Sequence, residues 1–250
     1  MWAKERWESR WRVPIMNAIG CALAISFPFI FQLIQNVPPH AKVDPILAML
    51  QHYPNLAFGW FGEDLPELLL VYVVILAIAM ITREWQSGTI EFVAQLPSTP
   101  SRIAWLKGLW GSLELAVVAI VSSAVLYAVS LIAGHTLPVM PWILSVLLMT
   151  VGFIGMWWLL SAFAWAIHST YAVILIGLGI YVIGMVSRSV RAWRTWSPFT
   201  YMINVSPHPK ESVLWEHLLI VIGATAVMAG LALWVAGRQE FIPNHRRDQI

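Results

Sequence analysis

Six runs of apolar residues, each long enough to cross the hydrocarbon core of a membrane, dominate the sequence. A transmembrane helix needs about 20 predominantly apolar residues. The runs lack the two-residue alternation of strands, and inside a bilayer the backbone polar groups of a single segment are satisfied only in a helix. They therefore predict an all-α integral membrane protein with one transmembrane domain over residues 1–250 and spans at Val13 to Ile34, Leu65 to Thr82, Ile103 to Ala133, Pro141 to His168, Tyr171 to Ser187 and His217 to Ala236.

The segments outside the spans also have recognisable sequence patterns. Residues 1–12 alternate charged residues with three tryptophans, which predicts an amphipathic helix lying in the membrane interface. Residues 35–64 are rich in proline and predict an outer loop with a short helix from Pro45 to His52. Residues 188–216 predict a second outer loop, which is too apolar around Phe199 to Val205 to be simply solvated. The short link His168 to Thr170 makes spans four and five antiparallel neighbours.

Composition supports a lipid environment. Hydrophobic residues make up 59% of the 250 residues and charged residues 11%, whereas a soluble domain is about 45–50% apolar and about 25% charged. High hydrophobicity excludes intrinsic disorder, and the single cysteine, Cys21, excludes a disulfide-stapled secreted module. The net charge of +2 is too small to indicate nucleic acid as a partner.

The basic residues predict the orientation, since they concentrate in cytoplasmic segments. With the N-terminus inside, the inner segments hold ten basic residues and the outer segments five. Both termini are therefore expected in the cytoplasm, although the cluster from Arg188 to Arg194 opposes this assignment. The inner residues are Lys4, Arg6, Arg10, Arg12, Arg83, Arg102, Lys107, Arg238, Arg246 and Arg247.

Aromatic belts explain most of the 15 tryptophans. Trp2, Trp7 and Trp11 belong to the N-terminal helix, and others border the cytoplasmic loop or the outer ends of the spans, Trp142 among them, where indole rings favour the membrane interface. A deeper group is expected to face either packing or cargo; it consists of Trp157, Trp158 and Trp165.

The cytoplasmic loop over residues 83–107 carries the most specific pattern. Gly88 interrupts the second helix, and Thr89 can cap a new helix with Glu91 in its first turn. An apolar stretch follows and ends at Pro97. Thr99 followed by proline is typical of a helix start, so the third span begins while still in the cytoplasm. The loop thus predicts a short amphipathic helix between two breakers, which requires an apolar partner surface.

The run Glu84-x-x-Ser87-Gly88-Thr89-Ile90-Glu91, followed by Leu96-Pro97, Ser98 to Arg102 and Lys107, resembles the signature between the second and third spans of ABC-2 type transporter permeases. The specific motif covers about 25 residues, while the six-helix layout extends the resemblance over most of the chain. The sequence departs from the family at Val93-Ala94-Gln95, where a leucine-rich stretch is usual, and at the cluster Arg188 to Arg194.

The resemblance implies a transport subunit of a bacterial cytoplasmic membrane. In the family this loop holds the coupling helix that docks on a separate ATP-binding subunit, two copies of which bind ATP and Mg and drive two membrane subunits. No phosphate-binding loop occurs in the printed sequence, so this chain is expected to hold no cofactor, to be no enzyme, and to pair with a second permease copy or a homologous permease. The docking residues implied are Glu84, Ser87, Gly88, Thr89, Ile90, Glu91, Phe92, Leu96, Pro97 and Arg102.

Other interpretations stay open at this point. The loop could cap an interfacial helix in a partnerless membrane protein with an immunity or scaffolding role. Glu67 and Glu114 are intramembrane carboxylates, which often mark a pathway; for Glu114 the alternative is water or a pair with Lys107 or Arg102. No histidine spacing indicates a metal site; His40 and His52 with Asp44 are the nearest approach to one.

Overall fold

The structure is a computed structural model. It describes residues 2–36, 52–89, 99–190, 192–193, 195, 197–203 and 211–239. Within these ranges the chain is helical, with nine α-helices and one π-helical turn at Ile78–Thr82. The α-helices are α1 (Trp2–Gln35), α2 (Tyr53–Gly59), α3 (Asp64–Ala77), α4 (Arg83–Gln86), α5 (Pro100–Ile132), α6 (Val139–Ile167), α7 (Thr170–Ser189), α8 (Pro198–Met202) and α9 (Glu211–Gly237).

Six helical segments are long and apolar enough to cross a membrane, which confirms the predicted count and fits a multi-pass membrane protein. The second segment combines α2, α3, the π-helical turn and α4, and each of the others is a single helix. The segments are Lys4–Gln35, Tyr53–Gln86, Pro100–Ile132, Val139–Ile167, Thr170–Ser189 and Ser212–Gly237.

The first helix is longer than its predicted span. Residues 2–12 are helical, but they continue through Pro14 into the span as one helix, so the structure has no break that would separate an interfacial helix. Glu5 and Ser9 are buried against the bundle, while Trp7 and Trp11 are exposed. Part of the polar pattern of residues 1–12 thus belongs to a face that is turned towards other helices, and the rest is exposed.

Helix α6 lies at the centre of the bundle and packs against α3, α5, α7 and α9. Its Trp157, Trp158 and Trp165 are buried, which settles the alternative between packing and cargo in favour of packing. The indole Nε1 of Trp157 donates a hydrogen bond to the carbonyl oxygen of Gly108, at 2.9 Å. A Cβ at Gly108 would meet the ring of Trp158, so glycine allows α5 and α6 to approach closely.

Residues 53–63 correct the prediction of an outer loop over 35–64. They form α2 and a turn whose Phe58, Trp60 and Phe61 are fully buried. The Nε1 of Trp60 donates to the hydroxyl of Ser123, and the buried ring of Trp142 packs edge-on against both phenylalanines. Burial of these large rings removes so much apolar area from water that the segment folds inwards. The short helix predicted over Pro45 to His52 lies outside the described residues, apart from His52.

The short link between spans four and five is confirmed, and the second connection is described in part. Only His168 and Ser169 separate α6 from α7, and the two helices contact each other. In the segment 188–216, the short helix α8 buries Phe199 and Met202. The Ser197 hydroxyl donates to the Gly184 carbonyl at 2.9 Å, and the ring of Phe199 lies where a Cβ of Gly184 would be.

We expect Gly108→Ala to destabilise the protein by about 1–3 kcal/mol, because the added methyl group would overlap the Trp158 ring. Gly223→Ala is the matched control: its Cβ would meet nothing within 4 Å, and alanine favours a helix over glycine by about 1 kcal/mol. Thermal unfolding of both variants in detergent measures the difference. Equal unfolding midpoints would contradict the close α5–α6 contact.

Candidate functional site

The two ends of the bundle differ in what they hold. The end that carries residues 87–99, called the loop end below, also holds the start of α1, the end of α4, the start of α5, the link between α6 and α7, and the end of α9. A Cβ at Gly237 on α9 would meet the side chain of Ser101 on α5, which places both there. The candidate site consists of the charged side chains buried at this end.

The first half of the site joins α1, α4 and α5. Lys107 on α5 is only 1% exposed, and its Nζ lies 2.8 Å from Glu84 Oε1 and 3.1 Å from Glu5 Oε1. It also donates to the carbonyl oxygen of Met80 in the π-helical turn. Lys4 Nζ lies 2.5 Å from the same Glu84 oxygen. Glu84 is therefore held between two lysines from different helices.

The second half lies about two helical turns deeper, because Arg12 and Glu114 each follow the first half by seven residues. The Nη2 of Arg12 on α1 lies 3.0 Å from Glu114 Oε1 on α5 and 3.8 Å from Glu5 Oε2. The Tyr72 hydroxyl on α3 donates to the other Glu114 oxygen at 2.6 Å. At the rim, Arg12 Nη1 donates to Glu8 at 3.2 Å. Glu114 is thus neutralised by a cation and fixed by a phenol.

Together these groups form one ion network, defined here as Lys4, Glu5, Arg12, Tyr72, Glu84, Lys107 and Glu114. Its three cations match its three buried carboxylates, so the formal charge balances. Burying an ion costs several kcal/mol, and a pair offsets that cost only with good geometry and further hydrogen bonds. The network therefore fixes the relative positions of α1, α3, α4 and α5 more than it adds net stability.

Among the predicted docking residues that the structure describes, one belongs to this network and the others lie outside it. The carboxylate of Glu84 is buried and faces the lysines. Gly88 adopts a left-handed backbone with φ +70°, as expected for a helix breaker. The hydroxyls of Ser87 and Thr89 lie 2.9 Å apart, and Arg102 is exposed. The remaining predicted docking residues lie outside the described residues: Ile90, Glu91, Phe92, Leu96 and Pro97.

The start of the third span is confirmed in detail. The Thr99 hydroxyl accepts a hydrogen bond from the backbone N–H of Arg102, and Pro100 occupies the first helical position of α5. The apolar groove that the loop helix requires, and the loop helix itself, stay predictions because residues 90–98 are not described.

The two intramembrane carboxylates differ from each other. Glu114 is 3% exposed, and its cation is Arg12 rather than the expected Lys107 or Arg102. Sequence reasoning missed this partner because the two residues are 102 positions apart. Glu67 lies exposed in the first turn of α3, at the end opposite the loop end. The structure thus gives Glu114 a structural pairing and leaves Glu67 at the surface.

Sequence reasoning also missed Lys4, Glu5, Arg12 and Tyr72 as members of a site. A signal was present, because Glu5 and Arg12 are seven residues apart on α1, and Lys107 and Glu114 are seven apart on α5. Residues at this spacing share a helix face. On α1 the negative residue comes first and the positive one second, whereas on α5 the order is reversed. Because both helices start at the same end, Glu5 meets Lys107 and Arg12 meets Glu114.

A second set of contacts joins the end of α4 to the link between α6 and α7. The ring of His168 lies 3.9 Å from that of Trp85. The amide of Gln86 donates to the His168 carbonyl at 3.5 Å and accepts from the Thr170 hydroxyl at 3.0 Å. His168 has a left-handed backbone, φ 57°. Burial lowers the pKa of its imidazole, and a hydrogen bond with the Trp165 backbone opposes this only in part.

No group of three metal-ligating side chains occurs in the part of the chain that the structure describes. His52 is described and exposed, whereas His40 and Asp44 lie outside the described residues. Ser122 and Ser161 donate to carbonyl oxygens of their own helices. These histidines and serines therefore offer no chemistry that competes with the ion network as the candidate site.

We expect Lys107→Met to lower the free energy of unfolding by about 3–5 kcal/mol, because it leaves Glu5 and Glu84 buried without their shared cation. Lys4→Met is the matched control; Lys4 is 43% exposed, so its loss should cost less than about 1 kcal/mol. Unfolding of both variants by SDS in mixed micelles measures the costs. Losses of equal size would contradict the central role of Lys107.

We also expect acid to destabilise the protein through His168. Because burial lowers its pKa in the folded state, the unfolded chain binds a proton first, and stability is lost as pH falls below about 6.5. His168→Asn keeps a residue that tolerates a left-handed backbone and removes this titration. Unfolding of both proteins between about pH 7.5 and 5 should show a steeper loss for the parent. Parallel curves would contradict the prediction.

Comparisons with known proteins name no relative. No family model matches the chain, and no curated protein matches it. What the site does must therefore follow from its residues and their geometry.

Proposed function

We propose that the chain is the permease subunit of an ATP-driven exporter of the ABC-2 type, with residues 87–99 docking on a separate ATP-binding subunit. The sequence of the loop supplies the docking motif, from Ser87 to Arg102. The geometry of the ion network supplies a means of transmitting movement from the loop into the membrane.

The observation that carries the proposal is that the two stems of the loop are joined by a buried ion pair. Glu84 precedes the loop and Lys107 follows it, and their charged atoms are 2.8 Å apart. The same two residues bind Lys4 and Glu5 of α1. A force applied to the loop would therefore move α1, α4 and α5 together, since separating these charges in a buried site is costly.

Glu84 takes a different role in this proposal from a direct contact with the partner. Its carboxylate faces the lysines of its own chain, so it anchors the stem of the loop. Direct contacts with the ATP-binding subunit are assigned to the loop residues beyond Gly88, which include Glu91 and the apolar positions before Pro97. The left-handed Gly88 turns the chain out of α4 and starts this contact segment.

The exposed charges support a cytoplasmic position for the loop end. Among the described residues at this end, every exposed charged side chain is basic; they are Lys4, Arg6, Arg10, Arg83, Arg102 and Arg238. At the opposite end the exposed charged side chains of the described residues are acidic, namely Glu63, Glu67 and Glu216. Basic residues favour the cytoplasmic side. An ATP-binding subunit in the cytoplasm would meet the loop there.

Energy enters through the partner, because the printed sequence has no phosphate-binding loop. Six helices supply half of a membrane pathway in such exporters, so a second permease, identical or homologous, completes it. ATP and Mg are bound by two ATP-binding subunits.

We expect Gly88→Trp and Glu91→Arg to abolish co-purification of an ATP-binding subunit. Gly134→Trp is the matched control, since Gly134 also has a positive φ, +82°, and open space around its Cβ, but lies at the opposite end. Pull-down of the tagged full chain from its native membrane, with ATPase activity as the readout, measures the complex. The control should retain ATPase activity at the parent level.

Two results would count against the proposal. Complex formation that persists in both loop variants would show that the loop is not the docking site. If the parent itself brings down no ATPase activity, a partnerless protein with an immunity or scaffolding role becomes the better interpretation, and the loop motif is then a capped interfacial segment.

A further inference from the structure

The charged residues in the first three turns of α1 are sorted by side. Glu5 and Arg12 face the bundle and belong to the ion network, and Glu8 at the rim pairs with Arg12. Arg6 and Arg10 face outwards and are exposed. The carboxylates are thus turned inwards and neutralised, and the outer side of α1 is left with positive charge alone.

Two exposed tryptophans share that outer side. Trp7 is 59% and Trp11 62% exposed. The guanidinium of Arg10 lies over both rings, 4.9 Å from the Trp7 centroid and 5.7 Å from that of Trp11. Cation–π contact holds the charge at the level of the indoles, and indoles prefer the headgroup region of a membrane. The arginine–tryptophan face is defined as Arg6, Trp7, Arg10 and Trp11.

From this face an exposed apolar stripe continues along α1 and winds gradually around the helix, because a four-residue repeat exceeds the 3.6 residues of a helical turn. Exposed positions recur in adjacent pairs every four residues, first as the arginine–tryptophan face and then as Pro14 and Ile15, Ala18 and Ile19, and Ala22 and Leu23. Exposed apolar side chains on a helix able to cross a membrane suit the acyl chains of lipids. At 1.5 Å per residue, Arg10 lies about 7.5 Å along the axis from Ile15, so the charge and the start of the apolar stripe are close enough to contact the headgroup and the acyl chains of one lipid.

We infer that the arginine–tryptophan face of α1 binds the headgroups of anionic phospholipids. Neither arginine is ion-paired with a carboxylate of the described residues, so the guanidinium donors are available for phosphate oxygens, which they match in geometry. The apolar stripe takes the acyl chains of the same lipid. This inference does not depend on the proposed docking of an ATP-binding subunit.

The test uses the purified full chain, stripped of lipid in detergent, with native mass spectrometry as the readout of lipid binding. The probes are phosphatidylglycerol and phosphatidylcholine with identical acyl chains. A basic residue near an anionic membrane surface contributes about 1 kcal/mol, so Arg10→Gln should weaken phosphatidylglycerol binding about fivefold, and Arg6→Gln with Arg10→Gln about 25-fold. Binding of phosphatidylcholine should change much less, because its choline cation balances the charge of its phosphate.

Arg83→Gln is the matched control, because Arg83 is exposed at the same end but lies outside the arginine–tryptophan face. It should bind phosphatidylglycerol as the parent does. Thermal unfolding of the lipid-free variants checks the fold, which exposed arginines without described ion pairs should not affect. Equal binding of the two lipids by the parent would overturn the inference, as would undiminished phosphatidylglycerol binding by the double variant or an equal loss in the Arg83→Gln control.

Discussion

Lys107 is only 1% exposed, so its charge must be paired within the protein, and carboxylates from two other segments lie beside it. Glu84 comes from the end of the second span and Glu5 from the first helix, so one ammonium group joins three segments. Unpaired, any of these charges would cost several kcal/mol to bury. The arrangement of α1, α4 and α5 at the loop end follows from this requirement, and Arg12 with Glu114 repeats it about two turns deeper.

This constraint has a mechanical meaning for the proposed function. A loop whose stems were joined only by apolar packing could slide, because apolar contacts are not directional. Ion pairs with hydrogen-bonded geometry hold particular atoms together, so the stems, α1 and the link at His168 would respond as one unit to a partner. The carboxylates of α1 face the bundle, so Arg6 and Arg10 on the outer side have no ion-pair partner among the described residues. The ion network thereby leaves these arginines available to lipid headgroups.

Sequence patterns predicted the spans well and the loops less well. The helix at Pro100 begins where the predicted cap residue Thr99 places it, since capping is a local interaction. The burial of Phe58, Trp60 and Phe61 was not predicted, because a proline-rich segment with isolated aromatic residues resembles an exposed loop. Its contact with Trp142, about 80 residues away, is visible only in the folded structure. The buried pairs of α1 were not predicted for the same reason: their partners lie about 80 and 102 residues further along the chain.

The sequence by itself determined that the chain has six helices able to cross a membrane, that Gly88 breaks a helix and that Thr99 and Pro100 start one, since apolar length, backbone freedom and capping act over a few residues. It also held the complementary charges Glu5 and Arg12 against Lys107 and Glu114. Only the tertiary structure decided which charge meets which, and hence that Glu84 and Glu114 are buried anchors, because pairing across helices depends on the register and direction of packed neighbours.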